Sequence, residues 1–259
     1  MTGCRQRGSM IAVTVLASSL VAACGGGSAA VSSSAAPTGH SAAVSSPVAP
    51  PSVADTAPPV AAPPPAPAPR RPRIVQQPIP YPASRKAQMA DYAQRHYGVA
   101  TWRLVPRAVV LHFTASGPGS EPGVHALFAA NQPNRGELPG VCAHFVVDQD
   151  GTIYQQVPLK VMCRHTIGLN DRALGIEMVQ ETGVGAHWAD QQILHRPAQR
   201  RSVVRLLRWL LWRYRIPVRS VIGHATANDS PLFRDREGWV NDHTDWRAAD
   251  VAELRGLLR

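Results

Sequence analysis

A chain of 259 residues with 27 Lys and Arg against 17 Asp and Glu, a formal charge of +10, has room for one large domain or two small ones. The basic excess favours polyanionic partners. Aromatic residues make up only 6% and are not interleaved with the basic ones, and no nucleic-acid motif is present, so nucleic acid is excluded as the expected partner.

The first quarter does not read as globular. Arg5 and Arg7 precede an apolar, small-residue run from Met10 to Ala23 that is too short for a membrane span. Its end, Val21-Ala22-Ala23-Cys24, resembles the lipobox of bacterial lipoproteins. This makes 1–23 a signal peptide and Cys24 the acylated anchor, with an ordinary signal peptide as the alternative. Residues 24–69 are mostly Ala, Pro, Ser and Gly with one acidic residue, Asp55. They cannot bury a core and read as a disordered tether. The expected organisation is therefore a single folded domain over 70–259, exported and held at the envelope facing the wall, and monomeric. Anionic partners there are wall polymers, anionic lipids or peptidoglycan carboxylates. Of the four cysteines, Cys4 leaves with the signal and Cys24 takes the lipid. The remaining pair, Cys142 and Cys163, favours a disulfide in an oxidising compartment, over free thiols or metal ligation.

Within the domain, Ser84 is placed to cap a helix running to Tyr97, with Gly98 ending it. Ala108 to Leu111 reads as a buried strand ending at His112. Ser116 to Gly140 is a long Gly/Pro/Asn-rich excursion with a short helix around 124–130, and a loop of that length is usually functional. Ala143 to Val147 forms the next strand, and Asp148 to Gly151 turns it into a hairpin partner at 152–157. Leu174 to Val179 alternates, so that Leu174, Ile176 and Met178 share one face and Glu177 points the other way. Pro197 opens a strong amphipathic helix to Tyr214, whose arginines lie off its apolar stripe. Pro217 stops it, a strand from Val218 to Ile222 leads to His224, and Ala248 to Leu258 closes the chain as a helix. The expected fold class is α/β, a central mixed sheet flanked by helices.

His112 and His224 stand at strand ends, Glu177 on a strand, and Asp245 in a loop with His243 two residues before it. Ligand sites in α/β sheets gather at strand ends. Two imidazoles and a carboxylate suit one Zn²⁺ ion with an open fourth position. On this reading His112, His224 and Asp245 are the metal ligands. Glu177, poorly solvated between Gly175 and Val179, is the general base, and His243 stabilises an oxyanion. Asp242 is the rival third ligand. His144, inside an apolar strand, reads as a satisfied core histidine, and His96, His125, His187 and His195 as incidental.

The motifs VVLHFTAS (109–116), CAHFVVDQDGTIYQ (142–155), RHTIGLND (164–171), LGIEM (174–178), VIGH (221–224) and HTD (243–245) come in order over 102–246. In this the chain resembles the zinc-dependent N-acetylmuramoyl-L-alanine amidases of type 2, whose fold is shared with phage T7-type lysozyme and the peptidoglycan recognition proteins. The resemblance implies zinc on His112, His224 and Asp245, catalysis by Glu177, and a substrate-side role for His165 and Asn170. It also implies cleavage of the amide between N-acetylmuramic acid and L-alanine in peptidoglycan or muropeptides. The alternative is a non-catalytic peptidoglycan receptor of the same fold. Three positions depart from the family's pattern: Ala143 where phage-type members carry a catalytic tyrosine, His243 in place of lysine, and Trp246 in place of proline.

Overall fold

The computed structural model describes residues 67–259, so the signal peptide, Cys24 and all but the end of the tether lie outside the described residues. The architecture is the expected mixed sheet with flanking helices. Six strands, β1 (Val75–Gln76), β2 (Ala108–Phe113), β3 (Phe145–Val147), β4 (Ile153–Gln155), β5 (Ala173–Met178) and β6 (Val221–Gly223), stand in the order β1-β4-β3-β5-β2-β6. Only the β3–β4 hairpin is antiparallel. The centre is therefore a parallel unit, β3-β5-β2-β6, which explains why β2 and β5 read as nearly continuous apolar runs.

Five helices cover the sheet: α1 (Ala83–Tyr97), α2 (Glu121–Ala129), α3 (Ala186–His195), α4 (Pro197–Tyr214) and α5 (Ala248–Gly256). Val109 and Leu111 of β2, with Leu174, Ile176 and Met178 of β5, join one core with the buried side of α4, Val203, Leu206, Leu207 and Leu210. No α4 side chain joins the two smaller clusters that hold Ala108, Val110, Ala173 and Val146 on the opposite face. The sheet thus separates α4 from the side on which His112 and Glu177 project.

Several local expectations change. Helix α1 begins at Ala83 behind Pro82 with no side-chain cap, so Ser84 lies inside its first turn; the αL C-cap at Gly98 stands as read. The short helix in the excursion starts earlier, at Glu121. Val218–Ser220 is a 3₁₀ turn, which leaves only Val221–Gly223 as strand. β1 and α3 were not anticipated. Cys142 and Cys163 are joined by a disulfide. No helix among the described residues is long and apolar enough to cross a membrane.

Candidate active site

The carboxyl ends of β2, β5 and β6 converge. His112 is registered directly against Glu177 on the neighbouring strand, and Leu111 against Gly223, which hands the chain to His224. Asp245 arrives from the loop after β6. Its carbonyl accepts the Ala225 N–H at 2.8 Å, which ties the loop back beside His224. Gly223 is obligatory here, because a Cβ at that position would lie 1.7 Å from the Trp246 carbonyl oxygen.

Three ligand groups meet at this junction. His112 Nδ1 lies 3.0 Å from His224 Nδ1 and 3.5 Å from Asp245 Oδ2, and His224 Nδ1 lies 3.3 Å from Asp245 Oδ1. All three residues are buried. A tetrahedral ion with bonds of about 2.0–2.1 Å has edges of roughly 3.3 Å. The spacing therefore fits such an ion.

The outward nitrogens carry the same message. His165 Nε2 faces the Ala173 carbonyl at 3.2 Å, so it holds the proton and leaves His165 Nδ1 as an acceptor. His112 Nε2, 3.2 Å from that Nδ1 and 3.3 Å from the Thr166 hydroxyl, donates outward. His224 Nε2 donates to Asn241 Oδ1 at 3.2 Å. Each imidazole thus turns a bare Nδ1 lone pair toward the Asp245 carboxylate. Three acceptors facing one another in a buried place repel unless a cation lies between them.

The electrostatics agree. Burial, then the neighbouring His224, hold His112 down at about 4, so it is a neutral imidazole at physiological pH. Burial, with the Asp245 charge, pushes Glu177 up to about 8. Glu177 Oε2 is a buried oxygen with no hydrogen-bond partner. A carboxyl so placed accepts a proton readily.

Around this junction lies a cleft of about 680 Å³, walled by Val124, Leu127 and Phe128 of α2 and by Arg135 and Arg164. His243 stands exposed at its mouth, stacked on His224 with ring centroids 4.0 Å apart. Asp242 is exposed, and its carboxylate pairs with Arg135 at 2.9 Å. It does not join the three-ligand cluster. His165 and Asn170 line the cleft, but their polar atoms are engaged within the protein. His165 sits behind His112. Asn170 Oδ1 accepts the N–H groups of His165 and Thr166, and its amide donates to the Tyr97 hydroxyl. His144 is fully buried between the Val161 carbonyl and the Gly175 N–H, as a core histidine should be.

Two residues escaped the sequence reading. Asn241 orients His224 while bonding both the N–H and the carbonyl of Ile167. His96, read as incidental, is buried between Asp235 and Glu137, and the Arg236 N–H binds its carbonyl, so it moors the loop between β6 and Asp245 onto α1. Neither carries a local signal, since the side-chain partners lie from 17 to 139 residues away.

The sheet's carboxyl edge and its converging His/His/Asp/Glu set define a hydrolase-type cleft on a parallel α/β core. The chain belongs to the N-acetylmuramoyl-L-alanine amidase family, whose model matches residues 102–246, more than half of it. It is an amidase acting on peptidoglycan. Among solved structures it is similar to the endolysin amidase LysCS from Clostridium intestinale, with 22% identity over 61% of this chain and 84% of that one and a TM-score of 0.44. It is also similar to the endolysin of the Thermus scotoductus bacteriophage Ph2119, with 19% identity over 71% and 99% and a TM-score of 0.43. No curated protein matches the chain.

Proposed function

We propose that this protein is a zinc-dependent amidase of the cell envelope that cleaves the amide between the lactyl group of N-acetylmuramic acid and the L-alanine of the stem peptide. The observation that carries the metal is the cluster itself: three bare acceptor groups at tetrahedral spacing, each histidine's proton committed outward. His112, His224 and Asp245 would hold one zinc ion. A zinc ion there supplies Lewis-acid polarisation of the scissile carbonyl and lowers the pKa of water.

The chain's own residues supply the rest. Glu177 takes the proton of the attacking water and delivers it to the leaving nitrogen, which departs as the free amine of L-alanine. Its raised affinity for a proton suits both transfers. His243, at the mouth and held by stacking, donates a hydrogen bond to the oxyanion as the carbonyl becomes tetrahedral. His165, fixed by Asn170 and Ala173, keeps the His112 ring in one orientation. Acylation at Cys24 would hold the enzyme at a membrane facing the wall, as a monomer.

The test is hydrolysis of purified peptidoglycan with zinc and after chelation, by wild type, Glu177→Gln and Asp245→Ala. Zinc-dependent appearance of L-alanine amino termini without new reducing sugar, lost in both variants, is the expected result. Zinc-dependent binding without release would make the protein a receptor. New reducing ends, or indifference to zinc, would overturn the reading.

A further inference from the structure

The outer face of α4 is unlike the rest of the surface. Between Gln191 and Asn228 the chain carries eight arginines and not one carboxylate. Arg201, Arg205, Arg208 and Trp212 follow one another at steps of four and three, which puts them in a single row along the helix, and Arg215 caps the end of the helix in the left-handed conformation. From Arg201 to Trp212 the row spans about 17 Å at the helical rise. All four arginines are exposed, and Trp212 is 52% exposed in their midst. Among the described residues no arginine of the row has an aspartate or glutamate carboxylate within salt-bridge distance. Arg208 donates to the backbone oxygens of Leu257 and Arg259, whereas Arg201, Arg205 and Arg215 bond to no group of the described residues through their side chains.

A second basic segment lies alongside. Arg70, Arg71 and Arg73 are exposed, Arg71 stacks 5.3 Å from the ring of Trp209 on α4, and Arg73 shares a hollow with Arg205. That hollow also holds Asp150, which limits the positive surface at the amino-terminal end of the helix.

We propose that this face of α4, with Arg70–Arg73 beside it, docks on an anionic lipid surface. Charge complementarity requires an anionic partner, and three features select a membrane over a soluble polyanion. Trp212 offers an indole between Arg208 and Arg215, which gains from the boundary between headgroups and acyl chains and gains nothing from a hydrated phosphate polymer. Where the described chain begins, Arg71 and Arg73 lie against α4, so a protein anchored upstream of them would already present this side to the bilayer. The sheet lies between α4 and the cleft. Docking here therefore turns the cleft away from the lipid, toward the wall that the amidase acts on.

The test uses residues 24–259 with Cys24→Ser, so that neither the apolar run before Cys24 nor an acyl chain contributes, and measures co-sedimentation with vesicles containing phosphatidylglycerol or phosphatidylcholine alone. A basic side chain at such a surface is worth about fivefold in affinity. The triple variant Arg201→Gln/Arg205→Gln/Arg215→Asn should therefore bind the anionic vesicles roughly a hundredfold more weakly, and Trp212→Ser several-fold more weakly. Both variants should keep the wild-type unfolding midpoint, since every substituted side chain is exposed. Equal binding to the two vesicle types, or no loss in the triple variant, would overturn the proposal. So would binding to soluble poly(glycerol phosphate) as tight as to vesicles with Trp212→Ser inert, which would assign the row to a wall polymer.

Discussion

Glu177 is where function and stability pull apart. Its Oε2 is buried without a partner, an arrangement that costs the fold and that a base of catalysis requires. Glu177→Gln should lower the hydrolysis rate by about 10²–10⁴-fold, while raising stability at neutral pH by a few kcal/mol, because the buried carboxyl must take up a proton on folding and the amide need not. Rate assays and thermal unfolding on the same sample check both halves. A loss of activity accompanied by a loss of stability would make Glu177 a structural residue. Asn241→Ala is the complementary case. It frees the outward nitrogen of His224, and metal affinity measured by competition should fall about 10–100-fold with the three ligands intact. The chemistry-bearing residues were legible because each breaks its local pattern: His112 ends an apolar strand, Glu177 interrupts one, and His224 follows Val-Ile-Gly. Asn241 breaks no pattern in a loop already polar, so nothing short of the fold reveals it.

Elements were legible in proportion to their length and periodicity. Helix α4, with its long apolar stripe, was read to its ends, and β2 and β5 to within two residues. Helix α3 was missed because Gly183 and Gly185 precede it and no side chain caps it; packing against α4 and α5 forms it. Its consequence is large. Asp190, buried on α3, accepts the N–H of Trp246 at 2.9 Å, and Trp246 holds the unusual φ of 58° directly after Asp245. Burial, with Asp250 adding to it against the opposing Trp246 N–H, raises Asp190 to about 8. A carboxyl that binds its proton more tightly when folded is neutral in the native state and ionised in the unfolded chain between pH 4 and 8. Stability from this group therefore falls as pH rises through that window and levels off above it. Asp190→Asn, which keeps an acceptor for Trp246, should remove that slope. The difference in unfolding free energy between variant and wild type should grow in the variant's favour from pH 5 to pH 8 by a few kcal/mol. Chemical denaturation at several pH values measures it, and a constant difference would refute the assignment.

At the scale of the whole molecule, the site is assembled from segments more than a hundred residues apart, His112 against His224 and Asp245, and no local rule places them together. Two devices close that distance. The disulfide fastens Cys142 to Cys163, a separation of 21 residues, and so restrains the segment that carries the β3–β4 hairpin. Loop closure of that size is worth about 3 kcal/mol, so reduction, or Cys142→Ala/Cys163→Ala, should lower stability by that order without touching the ligands. The second device is the metal. An ion that binds His112, His224 and Asp245 together binds the folded chain far better than the unfolded one, so zinc at a thousand times its dissociation constant should add about 4 kcal/mol of stability. The two contributions act on different parts of the chain and should add in the doubly stressed protein, reduced and chelated. Asp245→Ala distinguishes them: it should abolish the zinc-dependent rise in unfolding midpoint and leave the cost of reduction unchanged. Should zinc stabilise Asp245→Ala as much as wild type, the ion would be held elsewhere, and the convergence at the sheet's carboxyl edge would need another explanation.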